Sequence, residues 1–239
     1  MKTRSAIVRG LILAAAFTTF AVLMILVGYI VFKGAPHLNG AMFEKTYTTE
    51  NVSMFPAIIT TLIVVALSLL IATPLGVFTG FYLVEYAKKG SRIVEVIRLT
   101  TETLSGIPSI LYGLFGMLFF SIALKLGYSI LSGVFTLSIM ILPLIIRSTE
   151  EALMAVNDSL RSGSLALGAG KLRTIIRVVL PVAVPGILSG VILAIGRCVG
   201  ETAALMFTLG TTTDMPKSLL SSGRTLSLHM YVLSTEGLF

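Results

Sequence analysis

Long apolar stretches alternate with short polar ones along this chain, and the lengths of the apolar stretches decide the reading. A hydrocarbon core about 30 Å thick needs roughly 20 mainly apolar residues per helical crossing. Five segments meet that requirement: Gly10–Phe32, Pro56–Leu83, Ser105–Leu124, Ser129–Ile146 and Val182–Thr208. The pattern predicts an all-α, polytopic membrane protein, since a lone backbone crossing lipid satisfies its own hydrogen bonds only as a helix. The first segment follows Lys2, Arg4 and Arg9 in the manner of a signal peptide, yet its apolar run exceeds a signal core and no small-residue cleavage site follows. It is expected to stay as an anchor, giving an N-terminal anchor span and external loop over residues 1–55 and a transmembrane domain over 56–239.

The polar stretches carry the remaining information. Between the fourth and fifth spans, residues 147–181 read as a compact projection. Short helical patterns at Glu150–Val156 and Leu160–Leu167 are separated by Asn157-Asp158-Ser159, a turn and helix cap. Gly168-Ala169-Gly170 breaks the second pattern, and Pro181 follows a third. Glu150 and Glu151 lie three and four residues beyond Arg147, within helical pairing distance. Pro74 with Gly76, and Gly106 with Pro108, mark kinks or broken helix starts, and Arg92–Thr103 reads as a surface helix ahead of the third span.

Charge orients the spans. Lys2, Arg4, Arg9, Lys88, Lys89, Arg92, Arg98, Arg147, Arg161, Lys171, Arg173 and Arg177 fall on one side, against Lys33, Lys45, Lys125, Lys217 and Arg224 on the other. Basic residues favour the cytoplasmic side, so the N-terminus is expected on the cytoplasmic side of the membrane. The net charge of +7 is spread over these loops, which argues for contact with lipid headgroups and against nucleic acid. Cys198 is alone, and His37 and His229 are isolated loop histidines without metal-ligand spacing. No Walker A loop, no GxSxG and no nucleophile constellation occurs, so neither intrinsic catalysis nor a cofactor is expected in this chain.

The run from Ser162 to Pro181 resembles the docking loop of ABC importer permeases, E-A-A-x3-G-x9-I-x-L-P. Gly168 matches the glycine, Val178 stands for the isoleucine, and Leu180-Pro181 match fully. Ser162-Gly163-Ser164 replace E-A-A, which leaves Asp158 or Glu151 to supply the acidic contact. Ser105-Gly106-Ile107-Pro108-Ser109-Ile110-Leu111-Tyr112-Gly113-Leu114, Arg147-Ser148-Thr149-Glu150-Glu151-Ala152-Leu153 and Gly196-Arg197-Cys198-Val199-Gly200-Glu201-Thr202-Ala203 are similar to stretches of the A-type permeases of phosphate-specific ABC transporters. The resemblance covers the chain from about Pro56. It implies an ABC importer permease bundle working beside a second phosphate permease, two ABC ATPase chains that bind ATP and Mg, and an extracytoplasmic phosphate-binding protein. Alternating access would be driven through residues 147–181. Family members return through a sixth span, so the chain, which is polar after Thr208, is expected to lack that helix.

Arg197 and Glu201 fall within the fifth segment, where a charge costs roughly 2.5–3.5 kcal/mol on insertion scales. On a continuous helix Gly186, Gly190, Ala194, Arg197 and Glu201 share one face, at about 0°, 40°, 80°, 20° and 60°. Two readings follow. In one, the glycines admit a neighbouring helix while Arg197 and Glu201 form a packed pair that locks the bundle. In the other, Arg197 offers its planar fork to an oxyanion in a translocation path, Glu201 orients it or weakens its hold, and Arg147 marks the inner mouth. A permease for sulfate or molybdate, an ATP-independent secondary transporter or channel, and a membrane-embedded enzyme stand as alternatives.

Overall fold

The computed structural model describes residues 2–88 and 90–236. Met1, Lys89, residues 237–239 and the side chains of residues 2–6, Lys2 and Arg4 among them, lie outside that set. The regular elements are all helices, and they fall into two units that divide between Glu44 and Lys45.

The first unit is α1, Lys2–Gly34, followed by short 3-10 turns at Ala35–His37 and Gly40–Phe43. Its apolar side chains are exposed from Ile7 to Phe32, as a lipid-facing span requires. Thr18 and Thr19 return their hydroxyls to Ala14 O and Ala15 O at 2.8 and 2.9 Å, so neither carries an unpaired donor into lipid.

The second unit is built around one central helix. It comprises α2 (Phe55–Phe81, prolonged by a wide turn at Tyr82–Tyr86), α3 (Arg92–Ser105), α4 (Ser109–Gly116, prolonged over Met117–Ala123) and α5 (Ile130–Met154). After these come α6 (Asp158–Ala166), α7 (Lys171–Thr174), a wide turn at Ile175–Val179, α8 (Leu180–Val199), α9 (Ala203–Met206) and α10 (Leu226–Glu236). Helix α5 lies between α2 and α8, and two Gly-x-x-x-Gly motifs set the spacing. A Cβ on Gly76 or Gly80 would stand 2.7 or 2.6 Å from Ile145 Cγ2 or Thr149 Cγ2. On the other flank, a Cβ on Gly186 would lie 2.7 Å from that of Ala152, and one on Gly190 would overlap Ser148. Apolar side chains gain little by leaving lipid for one another, so close backbone approach is what holds such helices together.

Among the described residues four helices are long and apolar enough to cross a membrane, and a pair bent by 103° brings the number to five if it counts as one span. That pair corrects the third span. Its expected start at Ser105 is still in α3; the chain breaks at Gly106 and Pro108, α4 begins at Ser109, and Tyr112 Oη ties the corner by donating to Leu104 O at 2.8 Å. Helix α3 is about 21 Å long and the stretch Ser109–Ala123 about 22 Å, so the two have the length of a span only as a pair. Pro74, by contrast, is absorbed inside α2 without a break.

Two further boundaries move. The fourth span runs on to Met154, so the pattern at Glu150–Val156 is mostly its last turns and not a separate helix. The fifth starts earlier, through α7 and the wide turn, and stops at Val199 instead of Thr208. The polar tail folds back as a cap: Ile130 and Leu131, the first donors of α5, reach Ser221 O and Leu219 O at 3.0 and 2.9 Å.

Candidate functional site

The projection between the fourth and fifth spans is a short helix presenting apolar side chains. Asn157 caps α6, its Oδ1 accepting from Ser159 N at 2.9 Å. Gly168 ends the turn beyond it at φ +82°, a left-handed conformation that side chains disfavour. Leu160, Leu165, Leu167 and Leu172 stand exposed around this tip, Leu167 at 91%. Leu180 is half-buried against the Leu153–Val179 cluster, and Pro181 sits exposed in the first turn of α8. Ser162 is exposed and donates to Asp158 O at 2.7 Å, and the Asp158 carboxylate, one turn before it, is almost fully exposed.

Arg161, read from sequence only as one more basic residue, anchors this helix. Its guanidinium donates to Leu153 O and Val156 O at 2.7 Å each, to Glu85 Oε1 at 3.0 Å and to Asp158 Oδ1 at 3.0 Å. Leu153 is in the last turn of α5, Val156 lies two residues past it, and Glu85 is in the wide turn that prolongs α2. With side chains only 17% and 9% exposed, the Arg161–Glu85 pair is largely withdrawn from water.

At the same end of the bundle Arg147 pairs with Glu151 at 3.0 Å, both groups more than half exposed. Glu150 turns instead to Arg98 of α3, accepting from Nε at 2.7 Å and lying 2.6 Å from Nη2. These pairs border an open cavity of about 290 Å³ floored by Leu83 and Met154, with Arg147 on its rim.

The face expected to hold both Arg197 and Glu201 is divided. Ala183, Ile187, Gly190, Ala194 and Cys198 form the buried stripe of α8. Arg197 lies half-buried two residues before the helix end, and among the described residues it makes no hydrogen bond and no ion pair. Glu201 is past that end. Its Oε1 accepts from Ala204 N at 2.9 Å and starts α9, so the packed Arg197–Glu201 pair is not formed. Gly200 ends the helix and the Glu201 carboxylate captures the next donor, which is why the helical face does not continue. The freed Val199 O takes the Ser227 hydroxyl of α10. Tyr112 is an electrostatic neighbour of Arg197, which brings the α3–α4 corner and the end of α8 into one neighbourhood.

At the opposite end from α6, His229 is not the loop histidine expected. It is buried in α10, edge-on to Tyr47 with centroids 5.7 Å apart, its Nδ1 3.3 Å from Arg224 Nη1. Arg224 is buried too and donates twice to Thr211 O, at 3.0 and 2.7 Å. Burial, and then the neighbouring guanidinium, hold His229 below the usual histidine range, opposed by the Val52 backbone.

Sequence reasoning missed Arg161, Glu85, Arg224 and His229. A polar residue in the last turn of an apolar segment, as Glu85 is, was the available signal for the first pair.

The family of binding-protein-dependent transport system inner membrane components matches residues 72–234. A probable ABC transporter permease protein of Bacillus subtilis, YqgI, is 33% identical over 91% of this chain and 79% of its own length. The phosphate transport system permease protein PstA 1 of Mycobacterium tuberculosis is 39% identical over 66% of this chain and 51% of its own length, and PstA of Yersinia pestis 38% over 74% and 60%. The chain thus spans about half of the mycobacterial relative and more of the others. By that match and by its helical architecture, the chain belongs to the binding-protein-dependent transport system inner membrane components, as a multi-pass membrane permease.

Proposed function

We propose that this permease serves an ABC importer and that its cargo is inorganic phosphate. The observation that carries the proposal is Arg197: a guanidinium near the end of a membrane-crossing helix, left without a protein acceptor, in a chain whose relatives include phosphate transport system permeases. A planar fork of donors suits a tetrahedral oxyanion, and release requires that it not bind too tightly. Glu201, buried four residues on, places a negative charge nearby that weakens the hold. Arg147, on the rim of the cavity at the α6 end, marks the other mouth of the path.

The basic side of the bundle is then cytoplasmic, with the N-terminus inside. ATP and Mg are held by two partner ATPase chains, which dock on α6 through the exposed leucines. Asp158 replaces the acidic contact missing at Ser162, because it lies one turn away on the same helix, whereas Glu151 lies on α5 and is engaged by Arg147. A second permease completes the path and an extracytoplasmic binding protein delivers phosphate. The chain itself makes and breaks no bonds.

The test is uptake of labelled phosphate into proteoliposomes holding the whole transporter, with sulfate and molybdate as competitors. Uptake should require ATP and resist both competitors, and Arg197→Gln should lower it at least about tenfold while the ATPase chains stay bound. ATP-independent flux, preferred uptake of sulfate or molybdate, or normal uptake by Arg197→Gln would each overturn a stated part of the proposal.

A further inference from the structure

We propose that Arg161 is the positioning residue through which motion of α6 reaches the membrane spans, by locking that helix onto the ends of α5 and α2. The proposal rests on the reading of α6 as the ATPase-docking helix and adds the route by which force leaves it.

The route follows from what joins α6 to its surroundings. Toward α8 the helix packs on α7 and the wide turn at Ile175–Val179, but the connecting chain is Gly168-Ala169-Gly170, with Gly168 in a left-handed turn, and the polar link is one hydroxyl pair, Ser164 Oγ to Thr174 Oγ1 at 2.9 Å. Glycines transmit bending poorly, and a single neutral hydrogen bond is easily exchanged for water. Toward α5 and α2 the link is the Arg161 fork, with acceptors on Leu153, Val156 and Glu85, in a site where the arginine and glutamate side chains are 17% and 9% exposed. Charge-assisted bonds of this kind are short and directional, and a planar fork held by three separate acceptors resists rotation about any one of them. One carbonyl belongs to the last turn of α5 and the other, Val156 O, lies two residues past its end, where no further helical donor follows. A push on α6 therefore enters α5, the central helix, and α2, which α5 grips through Gly76 and Gly80. Lysine at this position keeps the charge but brings a point donor on a flexible stem, unable to hold the three acceptors in one plane.

The experiment uses the whole transporter in proteoliposomes, with wild type, Arg161→Lys and Glu85→Gln compared for ATPase-chain retention, ATP hydrolysis and labelled phosphate taken up per ATP. Arg161→Lys should retain the ATPase chains and go on hydrolysing ATP, while phosphate per ATP falls at least about fivefold; Glu85→Gln should fall less. A purely structural role would lower hydrolysis and uptake together and leave their ratio unchanged, which overturns the proposal. A second measurement needs no change at Arg161: spin labels on Ser159→Cys and Tyr82→Cys, with the buried native Cys198 left unlabelled. In wild type the α6 to α2-end distance should stay constant between the nucleotide-free complex and one holding a non-hydrolysable ATP analogue. A distance that changes with nucleotide overturns the rigid link even if no Arg161 variant assembles. Absence of ATP-dependent phosphate uptake by wild type would instead remove the underlying reading, and the proposal with it.

Discussion

Arg161 and Arg197 are both arginines partly withdrawn from bulk water, and their surroundings are opposite. Arg161 has four protein acceptors, two of them backbone carbonyls, and one carboxylate beside it that is itself buried. Arg197 has none among the described residues and a helix that stops two residues later. A guanidinium whose donors are consumed by fixed acceptors is part of the frame; one whose donors are unused can meet a mobile anion. Residue type alone would class the two together. The acceptors separate them.

The largest effect expected from breaking this contrast is at the saturated site. Arg161→Met leaves Glu85 buried without its partner and frees two carbonyls, so it should lower stability by about 3–5 kcal/mol, read as a fall in the unfolding midpoint of the purified permease in detergent. A loss under about 1 kcal/mol would show that the pair is not a structural anchor. Arg224 offers a milder version, with two bonds to one carbonyl and a histidine neighbour but no carboxylate bonded to it. Arg224→Met should cost about 1–3 kcal/mol, the range for leaving one buried acceptor unmet.

What could be read beforehand divides along the same line. The apolar segments, the Asn157 cap and the Gly168 turn were legible because each depends on residues close in sequence. The Arg161–Glu85 pair was not, since its members are 76 residues apart and α6 must first come to rest beside the turn that prolongs α2. The shared face of Arg197 and Glu201 failed for a different reason. Helical spacing was extended over a stretch where Gly200 and the Glu201 carboxylate end the helix, and hydropathy, which stays high across the break, gives no warning. His229 looked like a loop residue because the segment before it is polar, yet that segment is held down by its backbone on the start of α5.

A smaller effect is expected from pH at the end of the bundle that carries α10. His229 is held below its ordinary value of 6.5 in the folded protein, first by burial and next by Arg224. The unfolded chain therefore binds more protons in the window just below 6.5, and stability should fall as pH drops through it. His229→Gln should flatten that dependence when unfolding midpoints at about pH 7.5 and 5.5 are compared. An equal slope with and without His229 would place the titrating group elsewhere.

The smallest change in stability belongs to Arg197, and it bears most on function. Replacing it with methionine removes no protein hydrogen bond and no ion pair among the described residues, and keeps an unbranched apolar stem in a half-buried position. The desolvation of a charge near the end of a membrane helix is relieved at the same time. Arg197→Met should accordingly unfold within about 1 kcal/mol of wild type, on either side of it, while ATP-dependent phosphate uptake falls at least about tenfold. Loss of stability comparable to that of Arg161→Met would place Arg197 in the frame with the other arginine. Unchanged stability with unchanged uptake would leave it outside both frame and path. Only the combination of an intact fold and lost uptake fits an arginine whose acceptor arrives with the cargo.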